Sequence, residues 1–289
     1  MIDYLAGPFV EFSFMRRALV GCLALSLSAP PIGVFLTLRR MSLMSDAMSH
    51  AILPGVAVGF LVSGLSLPAM TFGGLAAGLA VALLSGLVAR FTVVKEDASF
   101  AAFYLVSLSL GVVLVSAKGS NLDLIHILFG TVLALDDAAL ILIGMVAAAT
   151  LLWLAVAYRP LVIECVDPLF LRLSGRASAI THLSFLAVVV LNLVGGFQAL
   201  GTLLAVGIML LPAVIARFWA TTLSGLLPVA VGAALASSYA GLLLSYHAEL
   251  PSGPAIVVTA GGLYLLSVLF GRNGGVVWRI AGRHGPAPA

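Results

Sequence analysis

Charged side chains are scarce in this sequence. Asp, Glu, Lys and Arg make up 9% of the 289 residues, against about 25% in ordinary soluble domains. Hydrophobic residues make up 62%, and the mean hydropathy is +1.20. A soluble core needs a charged shell, whereas a bilayer accepts apolar side chains that face outward. The composition therefore excludes an ordinary soluble domain and predicts a single membrane domain over residues 1–289.

Three further features are missing. The two cysteines, Cys22 in an apolar run and Cys165 in a polar stretch, lack the C-x-x-C spacing of a Cys-type metal site. The net charge of +3 comes from residues clustered between apolar runs, with no basic groove for nucleic acid. No G-x-x-x-x-G-K-S/T motif occurs. The chain is therefore not its own ATP-driven motor, and any energy comes from a partner or an ion gradient.

Apolar segments are what the sequence has in abundance. A transmembrane helix needs about 20 mostly apolar residues. Nine segments come near this length, at roughly 18–38, 42–63, 68–91, 98–116, 138–157, 180–197, 199–219, 226–246 and 254–271. The boundary near Gly201, between segments 180–197 and 199–219, is the least certain from the sequence, because glycine can either end a helix or stay within it. Eight spans with a re-entrant piece are therefore also possible. The predicted fold is an all-α, polytopic transmembrane helix bundle of eight to nine membrane segments.

The distribution of basic residues predicts the orientation, since Lys and Arg collect on the cytoplasmic side. With nine spans, eleven of the fourteen fall on one face, namely Arg39, Arg40, Arg90, Lys95, Arg159, Arg172, Arg176, Arg217, Arg272, Arg279 and Arg283. Arg16, Arg17 and Lys118 fall on the other. The N-terminus is therefore expected outside and the C-terminus in the cytoplasm.

Asp46 and His50 are the main candidate metal ligands. They lie four residues apart within an apolar segment, so that on a helix they share one face. A carboxylate oxygen and an imidazole nitrogen suit divalent metals such as Zn²⁺ and Mn²⁺. An alternative reading pairs Asp46 with Arg39 or Arg40 near the membrane surface, while His50 donates to a carbonyl in the bundle.

Other polar residues give weaker signals. His247 and Glu249 lie near the predicted external face and could meet an arriving ion. His126, His182 and His284 are more typical of solvated or packed residues.

The polar segment 159–178 is a candidate docking loop on the cytoplasmic face. Asp167 suits a helix N-cap, Pro168 the first helical position, and Gly175 the helix end. The segment is either an ordinary surface loop or a docking element for a soluble partner.

The sequence resembles the ABC-type metal permeases, the membrane subunits of bacterial zinc and manganese importers. The resemblance covers nearly the whole chain and is strongest in the block Ser45–Gly55, with its Asp-x-x-x-Ser-His-Ala pattern. Weaker motifs occur in the expected order at 38–43, 128–130, 167–168, 201–204, 211–213 and 250–253.

This resemblance implies a multi-pass permease of the bacterial inner membrane that is not itself an enzyme. It implies a homodimer of permeases, two cytoplasmic ATPase subunits and an extracytoplasmic metal-binding protein. Zn²⁺ or Mn²⁺ would be the transported substrate, with no permanently bound cofactor. Asp46 and His50 would lie in the ion pathway, and the segment with Asp167, Pro168, Arg172 and Gly175 would contact the ATPase.

Other functions stay open at this stage. A related permease could import a metal chelate such as haem, cobalamin or a siderophore. A secondary transporter could use Asp46 and His50 as a proton relay. An intramembrane enzyme ranks last, because neither paired intramembrane aspartates nor an H-E-x-x-H motif occurs.

Overall fold

The computed structural model of the chain describes residues 2–64, 66–94, 96–117, 135–167, 170 and 176–280. All regular elements in these ranges are helices: α1 (Ile2–Glu11), α2 (Ser13–Leu38), α3 (Ser42–Ala51), α4 (Leu53–Ser63), α5 (Leu67–Phe91), α6 (Glu96–Ala117), α7 (Asp137–Val166), α8 (Arg176–Leu200), α9 (Thr202–Arg217), α10 (Leu223–Ala248), α11 (Ser252–Phe270) and α12 (Val276–Ile280). Within these ranges eight stretches are long and apolar enough to cross a membrane, α3 and α4 together counting as one. This confirms the all-α transmembrane bundle.

Helix α2 lies at the centre of the bundle. It packs against α7, α9 and α10 and also contacts α8. Its second half is almost entirely buried, and Leu25, Ile32 and Phe35 have no exposed surface. At about 1.5 Å per residue, its 26 residues give a length of about 39 Å, enough to cross the hydrocarbon core.

Two ion pairs lie at the two ends of α2. The two ends of the molecule are named here after the arginines of these pairs. At the first, Arg17 Nη2 lies 2.9 Å from Asp137 Oδ1, where α7 begins. At the second, Arg39 Nη2 lies 2.8 Å from Glu164 Oε1, close to where α7 ends. Because α7 therefore runs parallel to α2, the two helices define an Arg17 end and an Arg39 end.

The weakly predicted division at Gly201 is a true reversal of the chain. Helix α8 runs antiparallel to α2, since His182 bonds Arg39 while Gly196 lies beside Leu25. Gly201 then has φ +92°, a conformation that glycine adopts readily, and α9 runs back toward the Arg39 end. Helix α9 has only 16 residues, or about 24 Å, so it is the one predicted segment shorter than a full span.

Helices α4 and α5 approach each other closely at glycines, as small residues allow in lipid. Gly55 meets the carbonyl of Gly73, and Gly59 lies against the backbone of Ala69. A side chain at any of these contacts would push the two helices apart.

The helix that carries Asp46 is interrupted one turn later. Helix α3 ends at Ala51 and α4 starts at Leu53, with Pro54 in its first turn. Proline has no N–H to continue the helical ladder. Ser107 of α6 donates a 2.8 Å hydrogen bond to the Ala51 carbonyl at this break, which fixes α3 against its neighbour.

The segment 159–178 starts inside a helix. Helix α7 continues to Val166, so that Cys165 lies in its last turn and not in a polar loop. His126, His284 and the motif at 128–130 lie outside the described residues.

Candidate functional site

Asp46 and His50 lie one turn apart on α3, on the same face, as their spacing predicts. His50 Nε2 is 4.0 Å from Asp46 Oδ1. The Asp46 side chain is 66% exposed and that of His50 is 34% exposed. The Nδ1 atom of His50 is buried and has no hydrogen-bond partner among the described residues. One oxygen and one nitrogen donor are thus presented together, and among the described residues the ion pair found for either is the one between them.

A cavity of about 620 Å³ opens beside this pair at the Arg39 end. The polar residues in its wall come from α2, α3 and the turn between them, and from α6 and α9; they are Thr37, Arg40, Ser42, Asp46, Asp97, Tyr104 and Arg217. Asp46 lines this cavity, and His50 lies one turn further into the bundle. Asp46 is therefore close to the end of the molecule where the basic residues collect, whereas His50 lies deeper, two residues before Ile52, which packs against Gly78 in the middle of α5.

The alternative reading of Asp46 as the partner of a neighbouring arginine finds no such ion pair among the described residues. Arg39 turns away and pairs with Glu164. Arg40, held at φ +59°, lines the cavity, but the described residues contain no ion pair between it and Asp46. The alternative partner for His50, a bundle carbonyl, is not found among the described residues either.

The donor set on this chain is small. Over the part of the chain that the structure describes, no group of three or more His, Cys, Asp or Glu side chains could hold a metal ion. Two donors leave coordination positions for water or for groups from outside the chain. Such an arrangement suits transient binding better than a permanent site.

The second pair of candidate ligands lies at the opposite end of the molecule. His247 is in the last turn of α10, and Glu249 follows it with φ +53°. Both are exposed, and the neighbouring Tyr246 ring lies 5.7 Å from that of Phe12, just before α2. These residues are thus at the Arg17 end, well separated from Asp46 and His50.

The start of the docking segment lies at the same end as the cavity. Asp167 follows α7 directly and is exposed. Its Oδ1 accepts a 2.9 Å hydrogen bond from the Phe170 backbone N–H, which is the geometry of a helix N-cap. Pro168, Arg172 and Gly175 lie outside the described residues.

Sequence reasoning missed a buried cluster of charged and polar side chains at the Arg39 end. The Arg39 and Glu164 side chains are 10% and 8% exposed. Arg39 Nη2 also donates to His182 Nδ1 at 2.6 Å, and its guanidinium lies 4.8 Å from the centre of the Phe185 ring. A signal was available, because Glu164 is the only carboxylate between Asp137 and Asp167 and such residues mark functional positions in membrane segments.

Comparison with known proteins agrees with this architecture. Residues 11–271 match the ABC 3 transport family. The chain is 32% identical over 267 residues to the manganese import system permease protein ScaB of Streptococcus parasanguinis, covering 92% of this chain and 94% of that one. It is 30% identical over 279 residues to the manganese transport system membrane protein MntC of Halalkalibacterium halodurans, covering 96% and 94%.

A solved structure extends the similarity to three dimensions. A chain in the structure of PsaBC from Streptococcus pneumoniae in complex with Fab matches with a TM-score of 0.84 and 30% sequence identity. The match covers 97% of this chain and 100% of that chain. The chain therefore belongs to the ABC 3 transport family, which confirms its resemblance to the ABC-type metal permeases.

Proposed function

We propose that this chain is the membrane-spanning permease of an ATP-driven importer of divalent metal ions, with manganese or zinc as the substrate. The observation that carries this proposal is the Asp46/His50 pair, of which Asp46 lines a cavity at one end of a bundle of the ABC 3 transport family. Relatives named as manganese permeases support a metal substrate. An oxygen and a nitrogen donor are compatible with both Mn²⁺ and Zn²⁺.

The ion would move by alternating access. Asp46 and His50 would bind it through two atoms, and the remaining coordination positions would be filled by water or by groups of a second permease copy. Since a metal ligand must be deprotonated, protonation of His50 would weaken binding. Weak, shared coordination lets the ion leave toward the Arg39 end once the pathway opens there.

The similarity to ABC importer permeases supports the other components of the assembly. Cytoplasmic ATPase subunits would bind at the Arg39 end, through the segment that begins at Asp167. An extracytoplasmic binding protein would deliver the metal at the Arg17 end, where His247 and Glu249 are exposed. The whole assembly, with two permease copies, would lie in the bacterial inner membrane.

Radiolabelled metal uptake tests the site. We expect the double variant Asp46→Ala, His50→Ala to lose uptake of ⁵⁴Mn²⁺ and ⁶⁵Zn²⁺ at undiminished amounts of protein in the membrane. Asp137→Asn, which removes a carboxylate at the opposite end, is the control and should retain uptake. Wild-type uptake by the double variant would refute the assignment.

The energy source needs a separate measurement. In vesicles, uptake should require ATP and persist when an uncoupler collapses the proton gradient. Uptake that an uncoupler abolishes without any need for ATP would instead indicate a proton-coupled transporter. Competition by a metal chelate but not by the free ion would indicate chelate import.

A further inference from the structure

We propose that Arg39, Glu164 and His182 form a coupling clamp, which transmits displacement of the segment between α7 and α8 to the helix that carries Asp46 and His50. The proposal rests on the proposed transport function and adds to it three residues that do not touch the ion. Their role would be to position α3 relative to the cytoplasmic face.

The two helices on either side of this segment, α7 and α8, each place one side chain against the same atom, Arg39 Nη2. Glu164, three residues before Asp167, places its Oε1 2.8 Å from Arg39 Nη2. His182, in the second turn of α8, places its Nδ1 2.6 Å from the same nitrogen. His182 Nδ1 and Glu164 Oε1 are themselves 3.7 Å apart. A movement of either end of the segment therefore changes a bond to Arg39.

Arg39 is in turn linked to the metal-binding helix by a short, well-defined connection. The backbone N–H of Met41 donates to the Leu36 carbonyl at 2.9 Å, and that of Arg40 donates to Thr37 at 3.2 Å. Arg40 has a positive φ of +59°, which few residues other than glycine adopt without cost. Helix α3 starts at Ser42, so that a shift of Arg39 reaches Asp46 through this tight turn and one turn of helix.

The geometry of the cluster is poor for a group of residues whose only role is to stabilise the fold. Buried ion pairs repay the loss of hydration only with excellent geometry and with their remaining polar atoms satisfied. Here the ion pair consists of a single contact, between Arg39 Nη2 and Glu164 Oε1. The other two atoms of the pair, Arg39 Nη1 and Glu164 Oε2, are buried without a partner among the described residues. A purely structural contact between α2 and α7 would be better made by apolar side chains, which favours a specific positioning role.

The chain contains a matched control for this pair. Arg17 and Asp137 also join α2 to α7, at 2.9 Å, but at the opposite end of the molecule and with side chains 46% and 76% exposed. Glu164→Gln and Asp137→Asn make the same chemical change, replacing a carboxylate by its amide in an Arg-bonded position between the same two helices.

The test measures metal ions taken up per ATP hydrolysed, in proteoliposomes that contain the complete transporter with its ATPase subunits and binding protein. We expect Glu164→Gln to retain ATP hydrolysis while this ratio falls about tenfold, within the 5–150-fold range usual for coupling between sites. Asp137→Asn should leave the ratio unchanged. A ratio at the wild-type value in Glu164→Gln would overturn the clamp.

A second variant covers the case in which Glu164→Gln does not assemble. Arg39→Lys keeps the positive charge, but its single ammonium cannot reproduce the planar guanidinium between two partners. We expect it to assemble and to lower the ratio in the same way. An unchanged ratio in Arg39→Lys would also refute the proposal, whereas a wild-type transporter with no metal uptake would refute the proposed function instead.

Discussion

As the proposed ligands, Asp46 and His50 combine a hard oxygen donor with a borderline nitrogen donor, a combination that would set which metals are accepted. Oxygen ligands suit Mn²⁺, and thiolate ligands select Zn²⁺ over it. Asp46 is 66% exposed, so a change of side chain there disturbs little packing. The identity of this residue should therefore bear on selectivity more than on folding.

Asp46→Cys tests this point. Its thiolate, beside His50 Nε2, should raise uptake of Zn²⁺ relative to Mn²⁺ by about tenfold, the effect of about 1.4 kcal/mol in relative affinity. The measurement is competition between ⁶⁵Zn²⁺ and unlabelled Mn²⁺. Asp97→Cys, in the α6 part of the same cavity wall, is the control for a general effect of a thiol. An unchanged preference in Asp46→Cys would mean that Asp46 is not a ligand.

The buried pair of Arg39 and Glu164 allows stability and coupling to be separated. Removing one partner of a buried pair leaves an unpaired charge and costs about 3–5 kcal/mol, whereas apolar replacement of both is often neutral. We therefore expect Arg39→Met, Glu164→Leu to unfold at a higher temperature in detergent than Arg39→Met alone. Transport should stay uncoupled in the double variant. A double variant less stable than the single one would show that the ion pair itself stabilises the fold.

At the scale of single residues, sequence reasoning succeeds where partners are close along the chain. The four-residue spacing of Asp46 and His50 predicted that they share a helix face, and they do. Glu164 and His182 are 125 and 143 residues from Arg39, and no local pattern records such a contact. Only packing of α2 between α7 and α8 brings them together.

Among the helices, close backbone contact between α4 and α5 replaces side-chain packing. A Cβ on Gly73 would collide with the carbonyl of Gly55, whereas a Cβ on Gly86 of the same helix would meet nothing within 4 Å. The same substitution in one helix should therefore have opposite effects at these two positions.

We expect Gly73→Ala to destabilise the bundle by about 1–3 kcal/mol, the usual cost of overpacking. Gly86→Ala should be neutral or stabilising, because alanine favours a helix by up to about 1 kcal/mol over glycine. Thermal unfolding in detergent, followed by loss of the monodisperse chromatographic peak, measures both. Equal stability of the two variants would contradict the close contact of α4 with α5.

The element boundaries were predictable where apolar runs are interrupted by residues of special backbone geometry. Pro54 follows the break between α3 and α4, and Gly201 makes the reversal between α8 and α9. Gly195 and Gly196 could not be distinguished from Gly201 by composition, since all three are glycines in one apolar stretch. In the structure they lie inside α8 and pack closely against Val146 and Ala205, so only Gly201 reverses the chain.

Across the whole molecule, the two ends differ in their chemistry. The Arg39 end carries the cavity, Arg40 and Arg217 in its wall, and the start of the segment at Asp167. The Arg17 end carries the exposed His247 and Glu249. Basic residues favour the cytoplasmic side, so the Arg39 end is predicted to face the cytoplasm.

Cysteine labelling tests this orientation. Val93, which is fully exposed at the Arg39 end beyond α5, and Glu249, exposed at the Arg17 end beyond α10, are suitable positions for single cysteines. The background would carry Cys165→Ser, and Cys22 can stay because it is completely buried. A membrane-impermeant maleimide should label Glu249→Cys in right-side-out vesicles and Val93→Cys only in inverted ones. The reverse pattern would place Asp46 and its cavity near the external face, and the ion would then meet them on arrival and not on release.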